Sequence, residues 1–236
     1  MTRTTNARLA GFTFFFYIAV GILSMVLFGR ATRGEGIPAK LASMAQHATE
    51  VRVVVVLTIL MSLSALVLGV TLWAITREQD PDLAMLGMAC RFVEGVNGAT
   101  SIPRTLGLLS LATASGTNAP DSGAVHALGA FVLGEGSLVS AVFFAVGSTL
   151  FSWLLLRGRM IPIALAWLGV VASLLLVVGL PLQLFGTSRS FAGLVGWLLW
   201  LPMLVFEVWL ALWLLIKGVS APASRHPAYP QHSTVS

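Results

Sequence analysis

Six polar residues interrupt apolar runs of this chain: Arg91, Glu94, Asn97, Arg104, Glu135 and Glu207. Five are charged, and their surroundings are mostly Leu, Val, Ala, Gly and Phe. A charge at the centre of a membrane helix costs about 2.5–3.5 kcal/mol even on the lenient insertion scale, so such groups turn inward and find partners. The chemistry open to them is mutual ion pairing, proton binding by a carboxylate, or contact with the polar head of a ligand. Other chemistries fail on residue type. His47, His126, His226 and His232 all lie outside the apolar runs, so haem ligation between helices has no candidates. Cys90 is the only cysteine, which excludes an internal disulfide, a CxxC pair and a thiolate metal site. Lys217 falls at the end of the last apolar run, where it snorkels rather than forming a Schiff base. HExxH, GxSxG and P-loop patterns are absent, and Ser137 and Ser140 read as helix-packing groups. No catalytic residue, metal site or cofactor is therefore expected, and an enzyme is the less favoured reading.

The elements that position these residues follow from composition. Of 236 residues, 57% are hydrophobic and 10% charged, against roughly 25% charged in a soluble domain. Mean hydropathy is +0.90. Several apolar runs approach 20 residues without the alternation of a barrel strand, which leaves helices as the way to satisfy backbone groups in lipid. The fold class is all-α: a polytopic membrane helical bundle of six transmembrane helices. The spans are placed at about 9–29, 51–75, 83–109, 127–156, 161–184 and 194–215. Residues 1–8 form an N-terminal tail, 9–218 the bundle, and 219–236 a disordered C-terminal tail rich in Pro, Ser and His. The first run is too long for a signal-peptide core of about 7–15 residues and lacks a good cleavage site, so it reads as an uncleaved span.

Between spans one and two, Pro38 stands at a helix start, and Leu41, Met44, Ala48 and Val51 recur at helical spacing. This predicts a short extracytoplasmic interfacial helix running into span two. Asp80 can cap span three with Pro81 in its first turn. Residues 111–126 read as a flexible loop. Gly and Ser residues from Gly129 to Ser140 would let span four approach its neighbours closely.

Net charge is +5, but the five intramembrane charges sum to −1 and the 18 on ends and loops to +6. The basic balance is thus a matter of helix flanks, and nucleic-acid binding is not expected. Seven Lys and Arg fall on the side of the termini (Arg3, Arg8, Arg77, Arg157, Arg159, Lys217 and Arg225) and five on the other (Arg30, Arg33, Lys40, Arg52 and Arg189). The positive-inside rule then places both termini in the cytoplasm. Trp73, Trp153, Trp167, Trp197, Trp200, Trp209 and Trp213 suit interface anchoring and lipid-facing packing, or a stripe along an apolar pocket.

Depth arithmetic predicts who meets whom. At about 1.5 Å per residue, Arg91 and Glu207 each lie roughly 12 Å from the cytoplasmic ends of spans three and six. Arg104 and Glu135 each lie roughly 31 Å from that side on spans three and four. The expectation is an inner cluster of Arg91, Glu94 and Glu207, with Asn97 one turn further along the same face, and an outer pair of Arg104 with Glu135. One reading is that these groups only neutralise each other and hold spans three, four and six in register. The other is that the unmatched carboxylate, Glu94 or Glu135, titrates or contacts the polar head of a ligand in an otherwise apolar cavity.

Four stretches carry a family resemblance: Ala7-Arg-Leu-Ala-Gly11, Cys90-Arg-Phe-Val-Glu-Gly95, Leu155-Leu-Arg-Gly-Arg-Met-Ile-Pro162, and Phe206-Glu-Val-Trp-Leu-Ala-Leu-Trp-Leu-Leu-Ile-Lys-Gly218. In order and spacing they resemble an uncharacterised family of small, mainly bacterial, six-span integral membrane proteins, a domain of unknown function. The resemblance runs from about Ala7 to Gly218. It implies a protein of the cytoplasmic membrane, with the family's arginine and glutamate of span three at Arg91 and Glu94 and its span-six glutamate at Glu207. It implies no activity, substrate or cofactor. The functional expectation is a membrane protein that binds or passes a small or lipid-like ligand through its polar interior. The alternative is a structural or regulatory subunit acting through helix contacts with a partner protein.

Overall fold

The computed structural model of the chain describes residues 1–114, 121–134, 138–182 and 194–220. Among them there are eight α-helices and no strand: α1 Arg3–Ala31, α2 Gly36–Gln46, α3 Ala48–Thr76, α4 Pro81–Thr113, α5 Ser122–Gly134, α6 Leu138–Arg157, α7 Ile163–Leu182 and α8 Leu194–Ile216. The polar loop expected at 111–126 is shorter than the sequence suggested, since α4 runs to Thr113 and α5 starts at Ser122. The stretch read as span four falls in α5 and α6, with residues 135–137 between them outside the described residues.

Helix boundaries have local causes. Thr2 Oγ1 accepts from the Thr5 N–H, and Asp80 Oδ1 accepts from the Leu83 N–H with Pro81 in the first turn, so two orphan donors are satisfied. Between α1 and α2 the chain turns through Gly34 and Gly36, at φ +120° and +77°, which a side chain would resist. α2 ends at Gln46, and its last turn hands over to α3 at His47, so the continuous spacing from Leu41 to Val51 spans two helices.

Six helices form a closed ring in chain order. α1 packs on α3, α3 on α4, α4 on α6, α6 on α7, α7 on α8, and α8 returns to α1. Close approach at glycines holds the ring: a Cβ on Gly11 of α1 would lie 2.8 Å from the Ala211 carbonyl oxygen of α8, and one on Gly95 of α4 2.9 Å from the Ser62 carbonyl oxygen of α3. The end bearing the N-terminus is laced by Arg3, which donates to the Ile75 carbonyl and pairs with Glu78 at 3.3 Å, and by Arg157, which pairs with Asp80 at 3.3 Å. At the opposite end α2 packs over α4 and α5 through Leu41, Met44 and Leu108.

The outside of the ring is apolar. Phe12, Ile22 and Met25 on α1, Val56 and Leu63 on α3, Trp167 and Val178 on α7, and Leu198 and Trp209 on α8 are all exposed. In water so continuous a belt would drive association, whereas in lipid it is the stable arrangement. Five helical segments are long and apolar enough to cross a membrane: Arg3–Ala31, Ala48–Thr76, Gly123–Arg157, Ile163–Leu182 and Leu198–Ile216. α4 is not one of them, because Arg91, Glu94 and Asn97 interrupt its apolar run. The protein is thus an all-α bundle with the make-up of a membrane-embedded protein.

Candidate functional site

α4 is the polar axis of the bundle, and its first half is seated by small residues. Gly69 of α3 leaves room for the Arg91 side chain, since a Cβ there would lie 3.1 Å from Arg91 Cβ. On the other flank, a Cβ on Gly147 of α6 would lie 3.1 Å from Cys90 Cβ. These approaches bury Arg91 completely, at 0% exposure, in the middle of the ring.

The guanidinium is held from several sides. Arg91 Nη1 donates to Glu94 Oε2 at 2.7 Å, one turn along the same helix, and Nη2 lies 3.8 Å from Glu207 Oε1 on α8. Its Cζ sits 4.9 Å from the ring centroid of Phe144 and 5.7 Å from that of Phe14, where the aromatic quadrupole favours a cation. Glu94 is saturated: Oε2 takes Arg91, Oε1 accepts from the Tyr17 hydroxyl at 2.7 Å, and the Glu94 carbonyl accepts from Ser140 Oγ at 2.8 Å. Glu207 is not. At 6% exposure its Oε1 has no hydrogen-bond partner among the described residues, and 3.8 Å to Arg91 is an ion pair without a hydrogen bond.

The structure therefore brings Arg91, Glu94 and Glu207 together. Asn97 is not among them: with Arg104 it lines a larger cleft that none of these three residues borders. Glu135, the partner expected for Arg104, lies outside the described residues. Counting charges pointed to Glu94 or Glu135 as the spare carboxylate; Glu135 lies outside the described residues, Tyr17 supplies Glu94 with a neutral donor that a tally of charges omits, and within the cluster Glu207 keeps an oxygen without a donor. Tyr17, Phe14 and Phe144 were missed by sequence reasoning. The signal for Tyr17 was available, since a phenol in an apolar first span needs a partner for its hydroxyl.

Two clefts adjoin along α4, and the smaller reaches this cluster. The smaller, of about 350 Å³, is lined by Tyr17, Glu94 and Glu207 together with Phe144, Trp200 and Ser62. The larger, of about 650 Å³, extends along α4 past Asn97, Thr100 and Arg104 toward α5. Thr58, Met61, Ser101 and Ser140 border both. Arg91 lines neither; it lies behind the two carboxylates, so the smaller cleft meets acidic oxygens and aromatic rings. Among the described residues no three His, Cys, Asp or Glu side chains converge as a metal site would require. The arrangement is suited to holding a molecule, with few polar groups set in an apolar lining.

Comparison with known proteins agrees with the resemblance read from the sequence. The model of a family described as a domain of unknown function, DUF4386, matches residues 9–218. No curated protein and no solved structure matches the chain. With nearly the whole bundle covered, the chain belongs to the DUF4386 family of proteins with a domain of unknown function.

Proposed function

We propose that this is a six-span protein of the cytoplasmic membrane that binds a small or lipid-like ligand in the cleft between its helices. The observation that carries the reading is the cleft itself, which runs along α4 and ends on buried carboxylates. Polar helices that serve only to hold a bundle in register can close on one another. Here the second half of α4 stands off from its neighbours over a length that includes Asn97, Ser101 and Arg104.

Two observations support α4 as a sixth span. It buries Arg91 and Glu94 while exposing Met85, Leu86, Phe92 and Val96, a polarity that suits lipid outside and protein inside. Arg3 contacts Ile75, Glu78 and Met160, and the Ser220 N–H bonds the Met160 carbonyl, so the start of α1 and the residues after α8 lie at the same end of the bundle, as an even number of crossings requires. With the excess of Lys and Arg there, the termini are cytoplasmic and α2 is extracytoplasmic.

The test is native mass spectrometry of the full chain released from gentle detergent, beside a Ser101→Phe variant that fills the junction of the clefts. A small molecule or lipid should remain on the wild-type chain and be lost from the variant. Two bare chains would overturn the reading. A protein partner retained equally by both would favour the alternative of a structural or regulatory subunit working through helix contacts.

A further inference from the structure

The floor of the smaller cleft has a composition that selects among ligands. Glu94 and Glu207 share one guanidinium, so with both carboxylates ionised the cluster carries one uncompensated negative charge. That charge has an address. Glu94 spends both oxygens on Arg91 and Tyr17, while Glu207, nine-tenths buried and lining the cleft, keeps an Oε1 without a hydrogen bond. A buried carboxylate oxygen without a donor is costly, and an incoming donor or cation recovers that cost.

The rings beside it narrow the choice. Phe144 and Trp200 stand with centroids 5.9 Å apart, and both line the same cleft, as does Tyr17. Aromatic rings lining one cleft with carboxylates attract a cation with an organic shell. A hard metal ion is poorly served, because calcium or magnesium takes six or more oxygen ligands and the cleft offers two carboxylates, both already paired with Arg91. An anion would meet the carboxylates before the guanidinium, which lies buried behind them.

We infer that the smaller cleft takes an organic cation, an ammonium-like head with apolar substituents, with Glu207 as its counter-ion and Trp200, Phe144 and Tyr17 around it. This rests on the ligand-binding reading above and names the ligand class. The apolar substituents extend past Ser101 and Met61 into the larger cleft.

The test uses the full chain in nanodiscs of zwitterionic lipid, with empty discs subtracted, and equilibrium dialysis against tetraphenylphosphonium and its anion of the same shape, tetraphenylborate. The cation should bind saturably and the anion should not. Glu207→Gln, which keeps the side-chain volume, should weaken cation binding by about tenfold or more. Trp200→Leu, at a half-exposed position that tolerates change, should weaken it by about threefold and gives a second reading should Glu207→Gln fail to fold. Equal saturable binding of both ions would overturn the charge selection and leave the cleft as a binding site. Cation binding unchanged in both variants would overturn the assignment to Glu207 and Trp200. Absence of saturable cation binding would overturn the inference, while ligand retention by the wild-type chain in mass spectrometry still decides the broader reading.

Discussion

The two halves of the bundle treat polar groups in opposite ways. In the half bearing the termini, α4 is gripped at Gly87, Cys90, Arg91, Glu94 and Gly95, all of them buried. Around it Phe14, Leu72, Phe151, Phe206 and Leu210 form one continuous core. In the other half the same helix presents Asn97, Thr100, Ser101 and Arg104 to a cleft, and α2 packs across its end instead of along it. The difference teaches how one helix can both lock a bundle and leave it open. Small residues let neighbours close on the first half, so its charges are almost wholly buried against one another and only the two carboxylates border a cleft. Past Gly98 the neighbours stand back, and polarity there is available to something else.

The largest test of this contrast is Arg91→Leu. It strands Glu94 and Glu207 without a cation in the packed half, and should cost about 3–5 kcal/mol, read as a fall in the thermal unfolding midpoint in detergent. Adding Glu94→Gln and Glu207→Gln to the same chain should recover most of the loss, since a neutral cluster has no charge to strand. An unfolding midpoint unchanged by Arg91→Leu alone would mean that the packed half does not depend on its charges.

A smaller effect is expected from Gly11→Ala. The added Cβ would lie 2.8 Å from the Ala211 carbonyl oxygen and 2.9 Å from the Leu215 nitrogen, both backbone atoms that cannot swing aside. Overpacking of this kind costs about 1–3 kcal/mol and should appear as a lower midpoint without change in ligand selectivity. If Gly11→Ala were neutral, the ring would be looser at the α1–α8 contact than the packing implies.

The smallest is Ser101→Phe in the open half. It places a ring where the clefts meet, so stability should shift by only about 0.5 kcal/mol although ligand retention is lost. A large destabilisation from this variant would mean that the space along α4 is not available, and the contrast between the halves would fail.

Much of this was legible in the sequence because membrane physics is strict about position. A rise per residue along each span put Arg91 and Glu207 at one level, and their nitrogen and oxygen lie 3.8 Å apart. The i+3 spacing of Glu94 from Arg91 put both on one face, where they form a 2.7 Å ion pair. Asn97 followed the same spacing on paper yet faces another cleft, because three residues of an α-helix fall short of a full turn and the drift accumulates. Tyr17 could not be paired with Glu94 from spacing, since they are 77 residues apart and meet only through α1 and α4 standing on either side of α3.

By itself, the sequence determined the class of the protein and where its polar groups lie in depth. Apolar runs of membrane length dictate helices, and scarce charges within them must turn inward. Only the tertiary structure decided which carboxylate oxygen is left over, which rings surround the guanidinium, and that a cleft reaches them. Those depend on the rotation of each helix about its axis and on which neighbours the glycines admit, and neither is encoded in the spacing of residues along one helix.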